Sequence, residues 1–282
     1  MKNRSIGEKI LIGVFFVIFL LYAVSLIYPF FLCIINSFKT KTEFFKNIWG
    51  IPKKLTMKNW QDSFKITSYG LTMFDLYLNS IIFTVVNTTL HLMSSSAAAY
   101  IMAKYDFKGR SAVFTFLVIV MMIPTMGSMA SVYRIYNDVG LINTYLGIFI
   151  QSCGGFGTHF LMLYGFYKNL SWTYSEAAQL DGASHAVIYF RIMLPMAIPA
   201  VTAVGILAAI GQWNDYFTIY MYAPEKATIA VGLQNISNQM MQEMNYPKMF
   251  AVMMFSILPI LVVFACFQKT IMNNTAIGGL KG

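Results

Sequence analysis

The stretch from Ile10 to Asn36 contains no charged residue. An α-helix crosses the hydrocarbon core of a bilayer with roughly 20 apolar residues, so this stretch spans a membrane with some tilt. Composition extends the point to the whole chain. Of its 282 residues, 57% are hydrophobic and 11% are charged, whereas a soluble domain carries about 25% charged residues. Most of the protein surface is therefore built for lipid. Lys2, Arg4 and Lys9 precede the first apolar stretch, as basic residues precede the core of a signal peptide. The stretch is about twice the usual length of such a core and no small-x-small cleavage site closes it, so it reads as an uncleaved first span.

The apolar runs predict an all-α integral membrane protein of about six transmembrane helices: Ile10–Asn36, Leu76–Ala103, Ala112–Tyr133, Tyr145–Tyr167, Met196–Tyr222 and Met249–Phe267. We read them as one transmembrane domain over residues 1–282, with an N-terminal span at 10–36 and core spans within 76–267. Helices satisfy every backbone polar group inside lipid, and the strict alternation of a membrane barrel is absent. The fourth span carries Gln151, Ser152, Gly154, Gly155, Gly157 and His159. Such a segment suits close packing against other helices better than lipid. Pro124 implies a kink or local break in the third span. Lys and Arg are shared equally between the two sides of this topology, so the positive-inside rule does not orient it.

The net charge of +9 comes from Lys and Arg scattered through short connecting segments. No basic run is interleaved with aromatics, which argues against a nucleic-acid partner and for anchoring beside lipid headgroups. Cys33, Cys153 and Cys266 fall in three different apolar segments and fit no zinc or haem spacing. His91, His159 and His185 are isolated in sequence and read as packing or loop residues rather than ligands. No Gly-x-x-x-x-Gly-Lys-Ser/Thr loop is present, nor a zinc-protease motif or nucleophile elbow. The chain therefore does not bind ATP in the usual way, and no catalytic residue or metal ligand is assigned.

The connector at 168–195 is the most informative segment. Thr173 and Glu176 have capping-box spacing, Ala177, Ala178, Gln179 and Leu180 favour a helix, and Gly182 suits a left-handed C-cap. Ser184 can cap a second short helix, and Pro195 marks the start of the next span. Two short helices on a membrane loop form either a docking knob for another protein or a connector packed on its own bundle.

Glu176-Ala177-Ala178, Asp181-Gly182-Ala183 and Ile192-x-Leu194-Pro195 resemble the coupling loop of ABC-importer permeases, in the long form of the carbohydrate group and especially of the second permease of maltose-type systems. Asp106-Phe-Lys-Gly-Arg110, Trp213-Asn214-Asp215 and Gly278-Gly-Leu-Lys-Gly282 resemble further segments of that family, so the likeness covers most of the chain after about Asn79. Two positions depart from it: Ser171-Trp172-Thr173 replaces a frequent proline, and Gln268-Lys269-Thr270 replaces an arginine-aromatic pair. The resemblance implies a multi-pass protein of a prokaryotic plasma membrane, with cytoplasmic termini and a cytoplasmic coupling loop. It implies four kinds of partner: a second homologous permease, an ABC ATPase dimer that binds the ATP and Mg, an extracellular sugar-binding protein and membrane lipid. Glu176 would meet a basic residue of the ATPase, Gly182 would permit the turn, and Lys281 would dock the C-terminus. Trp213, Asn214 and Asp215 are candidates for the translocation path, with helix packing and interfacial anchoring as the alternative. The function implied is sugar or oligosaccharide import driven by a separate ATPase. A secondary transporter, which would show ionisable residues at membrane depth and broken helices, or an ABC permease for another solute, remains the alternative, as does a membrane enzyme with clustered polar residues.

Overall fold

The computed structural model describes residues 6–123 and 125–275. In chain order the helices are α1 (Ile6–Ser37), α2 (Lys41–Lys46), α3 (Lys58–Phe64), α4 (Met73–Lys104), α5 (Arg110–Met122), α6 (Met129–Asp138), α7 (Tyr145–Ser152), α8 (Thr158–Asn169), α9 (Thr173–Leu180), α10 (His185–Ile188), α11 (Leu194–Asn214), α12 (Phe217–Tyr222), α13 (Ile229–Gln242) and α14 (Tyr246–Thr275). Short 3-10 turns, a π-helical turn at Tyr189–Met193 and two strands of two residues each are the other regular elements of the described chain. It divides into two compact units, Met1–Thr67 with Leu233–Leu258, and Ser68–Gly232 with Pro259–Gly282.

Four helices are long and apolar enough to cross a membrane: Gly7–Ser37, Met73–Lys104, His185–Asn214 and Tyr246–Gln268. They correspond to the first, second, fifth and sixth expected spans. None of the apolar window of the first is buried within the chain, so lipid or another subunit must cover it. The third and fourth expected spans are not single helices, and the fifth, expected to run to Tyr222, ends at Asn214, with Phe217–Tyr222 forming the separate α12. The third is shared between α5, a 3-10 turn at Thr125–Ser128 and α6; Pro124, expected to break it, lies outside the described residues. The fourth is split into α7 and α8. Gly155 sits between them at φ 61° and Gly157 at φ 155°, conformations open to glycine and costly for other residues, so the glycines end one helix and let the chain re-enter another.

In the first unit, α2 packs through Phe44, whose ring centroid lies 5.5 Å from that of Tyr246 and 5.8 Å from that of Phe250. Lys39 is buried beside the end of α1. Its ammonium donates to Asn36 Oδ1 at 2.8 Å, Asn47 O at 2.8 Å and Ile48 O at 3.1 Å, which fills all three of its donors. Burial holds its pKa below the ordinary lysine value, partly opposed by Glu43.

The second unit is centred on α4. Its start is fixed by a capping box in which Thr72 and Asp75 bond reciprocally. Along its length it packs against α7, α8 and α11. Small residues permit this: Gly205 on α11 faces Leu92, where a Cβ would lie 2.8 Å from a leucine methyl. The core here contains Ala99, Tyr100, Phe160, Leu163, Tyr167, Ile188, Met193 and Ala197. At the far end of α4, Arg110 folds back, donating to Met102 O at 2.8 Å and Ala103 O at 3.3 Å. It thereby caps carbonyls left open at the helix C-terminus and also pairs with Asp106. Gly109, at φ 87°, makes this reversal.

Candidate functional site: the exposed α9 knob and its anchor

The connector folds as α9, a tight turn, and α10. The α9 start differs from expectation: Trp172 is the N-cap residue and no side-chain cap is made, so Thr173 and Glu176 do not form a capping box. Ser171 takes part instead, its hydroxyl accepting from Thr173 N at 3.3 Å and donating to Thr173 Oγ1 at 2.9 Å. The end agrees with expectation. Gly182 has φ 79°, Ala183 N donates to Ala178 O at 2.9 Å and Gly182 N to Gln179 O at 3.0 Å. These are the paired bonds of a Schellman motif, which needs a left-handed residue at the glycine position.

Ser184 caps α10 through Val187 N at 3.5 Å. α10 is not a separate helix. It runs through a π-helical turn at Tyr189–Met193 into α11. Pro195 has no N–H to offer the preceding turn, and a wider turn just before it accommodates that loss.

Glu176, Ala177, Asp181 and Gly182 are exposed, Ala178 is half-buried, Leu194 is half-buried and Pro195 is exposed. Among the described residues the Glu176 carboxylate has no partner. Beside it stands Leu180, 90% exposed, with Tyr174 at 56%. A leucine left fully in water at the end of a short helix is unusual, and sequence gave no sign of it, because a leucine in that position commonly faces a core.

The opposite side of the connector is held firmly. Tyr189 OH donates to Ser96 Oγ at 2.9 Å, and Ser96 Oγ lies 2.8 Å from Tyr167 OH. One buried serine on α4 thus ties together α8, which leads into the knob, and the π turn, which leaves it. Lys104 Nζ donates to Leu170 O, completing the α8 C-terminus, and Tyr105 OH lies 3.0 Å from His185 Nδ1. This anchor was not foreseen from sequence, since its members are about 70 and 90 residues apart, as the 71- and 93-residue separations of the two bonds show. Ser96→Ala would leave two buried tyrosine hydroxyls only each other to face. We expect a cost of about 1–3 kcal/mol, read as a lower thermal midpoint of the detergent-solubilised protein, with the exposed Thr89→Ala as the unaffected control.

The other candidates lie elsewhere. Trp213 lines an apolar pocket of about 270 Å³ with Tyr77, Ile81, Val85, Ile210 and Pro259. Asn214 Nδ2 donates to Ile210 O at 2.9 Å, and Asp215 Oδ1 accepts from Thr218 N, in the first turn of α12, at 3.0 Å. Lys281 lies outside the described residues. No group of three or more metal-ligating side chains occurs among the described residues. His185 meets Tyr105, while His91 and His159, isolated in sequence, are brought to 3.0 Å of each other.

The family model for the binding-protein-dependent transport system inner membrane component matches residues 95–273, a segment that holds both the knob and its anchor. The chain is 28% identical to the arabinooligosaccharides transport system permease protein AraQ of Bacillus subtilis (strain 168), over 94% of each chain. It is 28% identical to the maltodextrin transport system permease protein MalD of Streptococcus pneumoniae (strain R6), over 92% of each. A crystal structure of a bacterial ABC transporter that imports the acidic polysaccharide alginate contains a chain of similar fold, with TM-score 0.82 and 21% identity, covering 95% of this chain and 99% of that one.

Proposed function

This chain belongs to the family of binding-protein-dependent transport system inner membrane components, whose members are transport permeases and not catalysts, and from that membership we propose that it is one permease subunit of an ATP-driven importer of an oligosaccharide. The observation that carries the reading is the family match over the knob and bundle, joined by relatives named for oligosaccharide transport that align along more than nine-tenths of the chain. A second permease of similar fold pairs with it, an extracellular binding protein delivers the sugar, and two ATPase subunits bind ATP and Mg. The knob at α9 enters a cleft of one ATPase through Glu176, Ala177 and Leu180, with Asp181 and Gly182 shaping its end and Leu194–Pro195 leading into the bundle. The C-terminal segment around Lys281 makes a second contact. ATP closure moves the knob, and the anchor at Ser96 passes that motion to α4, α8 and α11. The equilibrium between inward-open and outward-open states is thereby biased by nucleotide and binding protein together.

In this reading residues 1–282 form one transmembrane domain of six crossings, with the interrupted third and fourth spans included, and the knob and both termini lie in the cytoplasm of a prokaryote. Interrupted backbone at membrane depth is tolerated where protein or a water-filled cavity covers it. A reporter fused after Lys108 or inside Ser171–Ser175 should read cytoplasmic and one near Lys53 external. An external reading at Ser175 would end the importer reading, because the ATPase could not reach the knob.

The functional test is uptake by proteoliposomes holding the complete transporter, supplied with ATP, the binding protein and labelled arabinotriose, raffinose or maltotriose. Accumulation of one of these that stops without ATP is the expected result. Failure of every saccharide, with ATPase turnover intact, would remove sugar from the reading. In the same assay, alanine at Trp213, Asn214 or Asp215 should lower uptake while the ATPase stays bound. Parallel loss of uptake and assembly would make these three residues packing elements.

A further inference from the structure

Three features converge in the middle of α4. At a rise of 1.5 Å per residue, His91 lies roughly 20 Å from the Lys104 end of a helix roughly 48 Å long, so it sits at membrane depth in this bundle. His91 Nε2 lies 3.0 Å from His159 Nδ1, and Ser95 Oγ 3.5 Å from the same His91 nitrogen. The His91 ring also faces the backbone of Ser152, the last residue of α7. The pair therefore straddles the interruption between α7 and α8.

One side of the interruption packs on α4, with Ser152 and Gly155 buried, and the other side is not covered by its own chain. Cys153, Gly154, Phe156 and Thr158 are exposed, and both histidines are half-exposed. Unwound backbone and imidazoles are poorly tolerated against lipid tails and occur at this depth where they face protein or water. Broken helices in transporters mark substrate contact for this reason.

The third feature is a polar stripe. Thr84, Asn87, Thr88, His91, Ser94 and Ser95 follow the i, i+3, i+4, i+7 spacing that places residues on one helix face. Asn87 Nδ2 donates to Gln212 Oε1 at 3.3 Å, yet Asn87 Oδ1, Thr84 Oγ1 and Thr88 Oγ1 are buried with no partner among the described residues. Buried polar atoms in native proteins are nearly always paired. Three of the six such atoms among the described residues lie on this one stripe, and in a protein that alternates between two states they fit atoms whose partner arrives in the other state or with a ligand.

We propose that the α7–α8 interruption, the His91–His159 pair and the polar stripe of α4 form this subunit's contact with the passing saccharide, a hydrogen-bonding wall of the translocation path. The proposal rests on the importer reading and locates the path within it. A neutral imidazole offers one donor and one acceptor, as a sugar hydroxyl does. In the pair one facing nitrogen donates and the other accepts. His159 Nε2, unpaired among the described residues, remains for the ligand, with the half-buried Ser94 alongside, while the buried Ser95 backs His91 from within the bundle.

Cys153 is a natural reporter, since methanethiosulfonates react with thiolates and a lipid-facing thiol does not ionise. The experiment uses the complete transporter in proteoliposomes, with Cys33→Ser and Cys266→Ser. Cys153, and separately His159→Cys in a Cys153→Ser background, are exposed to membrane-impermeant 2-sulfonatoethyl methanethiosulfonate with and without ATP. Lys108→Cys, exposed and outside the knob, serves as an accessible control. Both positions should label in at least one nucleotide state, and more slowly while the transported saccharide is supplied. His159→Leu should lower saccharide delivered per ATP hydrolysed at least fivefold, with binding-protein-stimulated hydrolysis within twofold of wild type. His159→Gln, which keeps a donor and an acceptor, should recover most of the loss. Resistance of both thiols in both states would show a surface covered by the partner permease or by lipid and would overturn the proposal. So would an unchanged ratio in His159→Leu, or equal loss of hydrolysis and uptake. These outcomes leave wild-type uptake intact, whereas a wild-type transporter that hydrolyses ATP and moves no saccharide defeats the importer reading itself.

Discussion

Glu176→Gln should reduce ATP-driven uptake by at least about tenfold while leaving the protein inserted at wild-type level. Glu176 stands exposed in the first turn of α9, and no side-chain cap is made at that helix start. Its local contribution is limited to the attraction between a carboxylate and a helix N-terminus, about 0.3–1 kcal/mol. Glutamine keeps the shape and the acceptor oxygen and removes only the charge. A bond to a cationic group contributes about 1.5–3 kcal/mol, against about 1 kcal/mol for a neutral one. In the proposed docking, a basic ATPase residue would be left without its counter-ion inside a closed interface, which adds to the loss. A difference near 1.4 kcal/mol already weakens association tenfold. Uptake and ATPase co-purification should therefore fall together, with membrane levels matched by immunoblot. Wild-type uptake by Glu176→Gln would reduce Glu176 to a local helix-dipole role and remove the main chemical support for the docking knob.

The long spans were legible because their signal is additive. A run such as Ile10–Asn36 needs only the absence of charge, and α1 and α4 lie within four residues of expectation, whereas α11 and α14 start within three residues of it but end eight residues early and eight residues late. The two-helix connector was legible because Gly182 and Ser184 act through local backbone chemistry, and both take the expected local roles. The misread parts depend on information that hydropathy averages away. Gly155 and Gly157 occur inside an apolar run, and the run hides that the backbone there leaves the helix. The capping box failed by one residue, because Trp172 took the cap position and Ser171 supplied the hydroxyl in its place. The π turn at Tyr189–Met193 answers to Pro195 and to the packing of Tyr189, and only the second of these depends on distant residues. The Ser96 anchor and the His91–His159 pair are wholly long-range. Each joins α4 to a residue of α8, 71 positions away in one case and 68 in the other, and no pattern within a single helix announces either.

Gly182→Val should uncouple transport nearly as strongly as loss of the Glu176 charge, by a different route. Gly182 sits at φ 79°, and a Cβ placed there would touch nothing within 4 Å. Crowding is therefore not the cost. The penalty is the backbone alone, about 1–2 kcal/mol for an L-residue in the left-handed region and larger in kind for a β-branched one. The chain can relieve that strain by giving up the two Schellman bonds, Ala183 N to Ala178 O and Gly182 N to Gln179 O. Once they open, α9 loses its fixed angle to α10. The anchor at Ser96 still holds α8 and the π turn, so the bundle stays folded while the knob points wrongly. The expected result is normal membrane insertion and a thermal midpoint close to wild type, with uptake and stimulated ATP hydrolysis both reduced about tenfold. Asparagine separates backbone from side-chain effects, because it is bulkier than glycine yet visits the left-handed region readily. Gly182→Asn should keep most of the uptake that Gly182→Val loses. Equal loss in both would place the fault in a side-chain clash with the ATPase cleft rather than in the turn. Wild-type transport by Gly182→Val would mean that the angle between α9 and α10 does not govern docking.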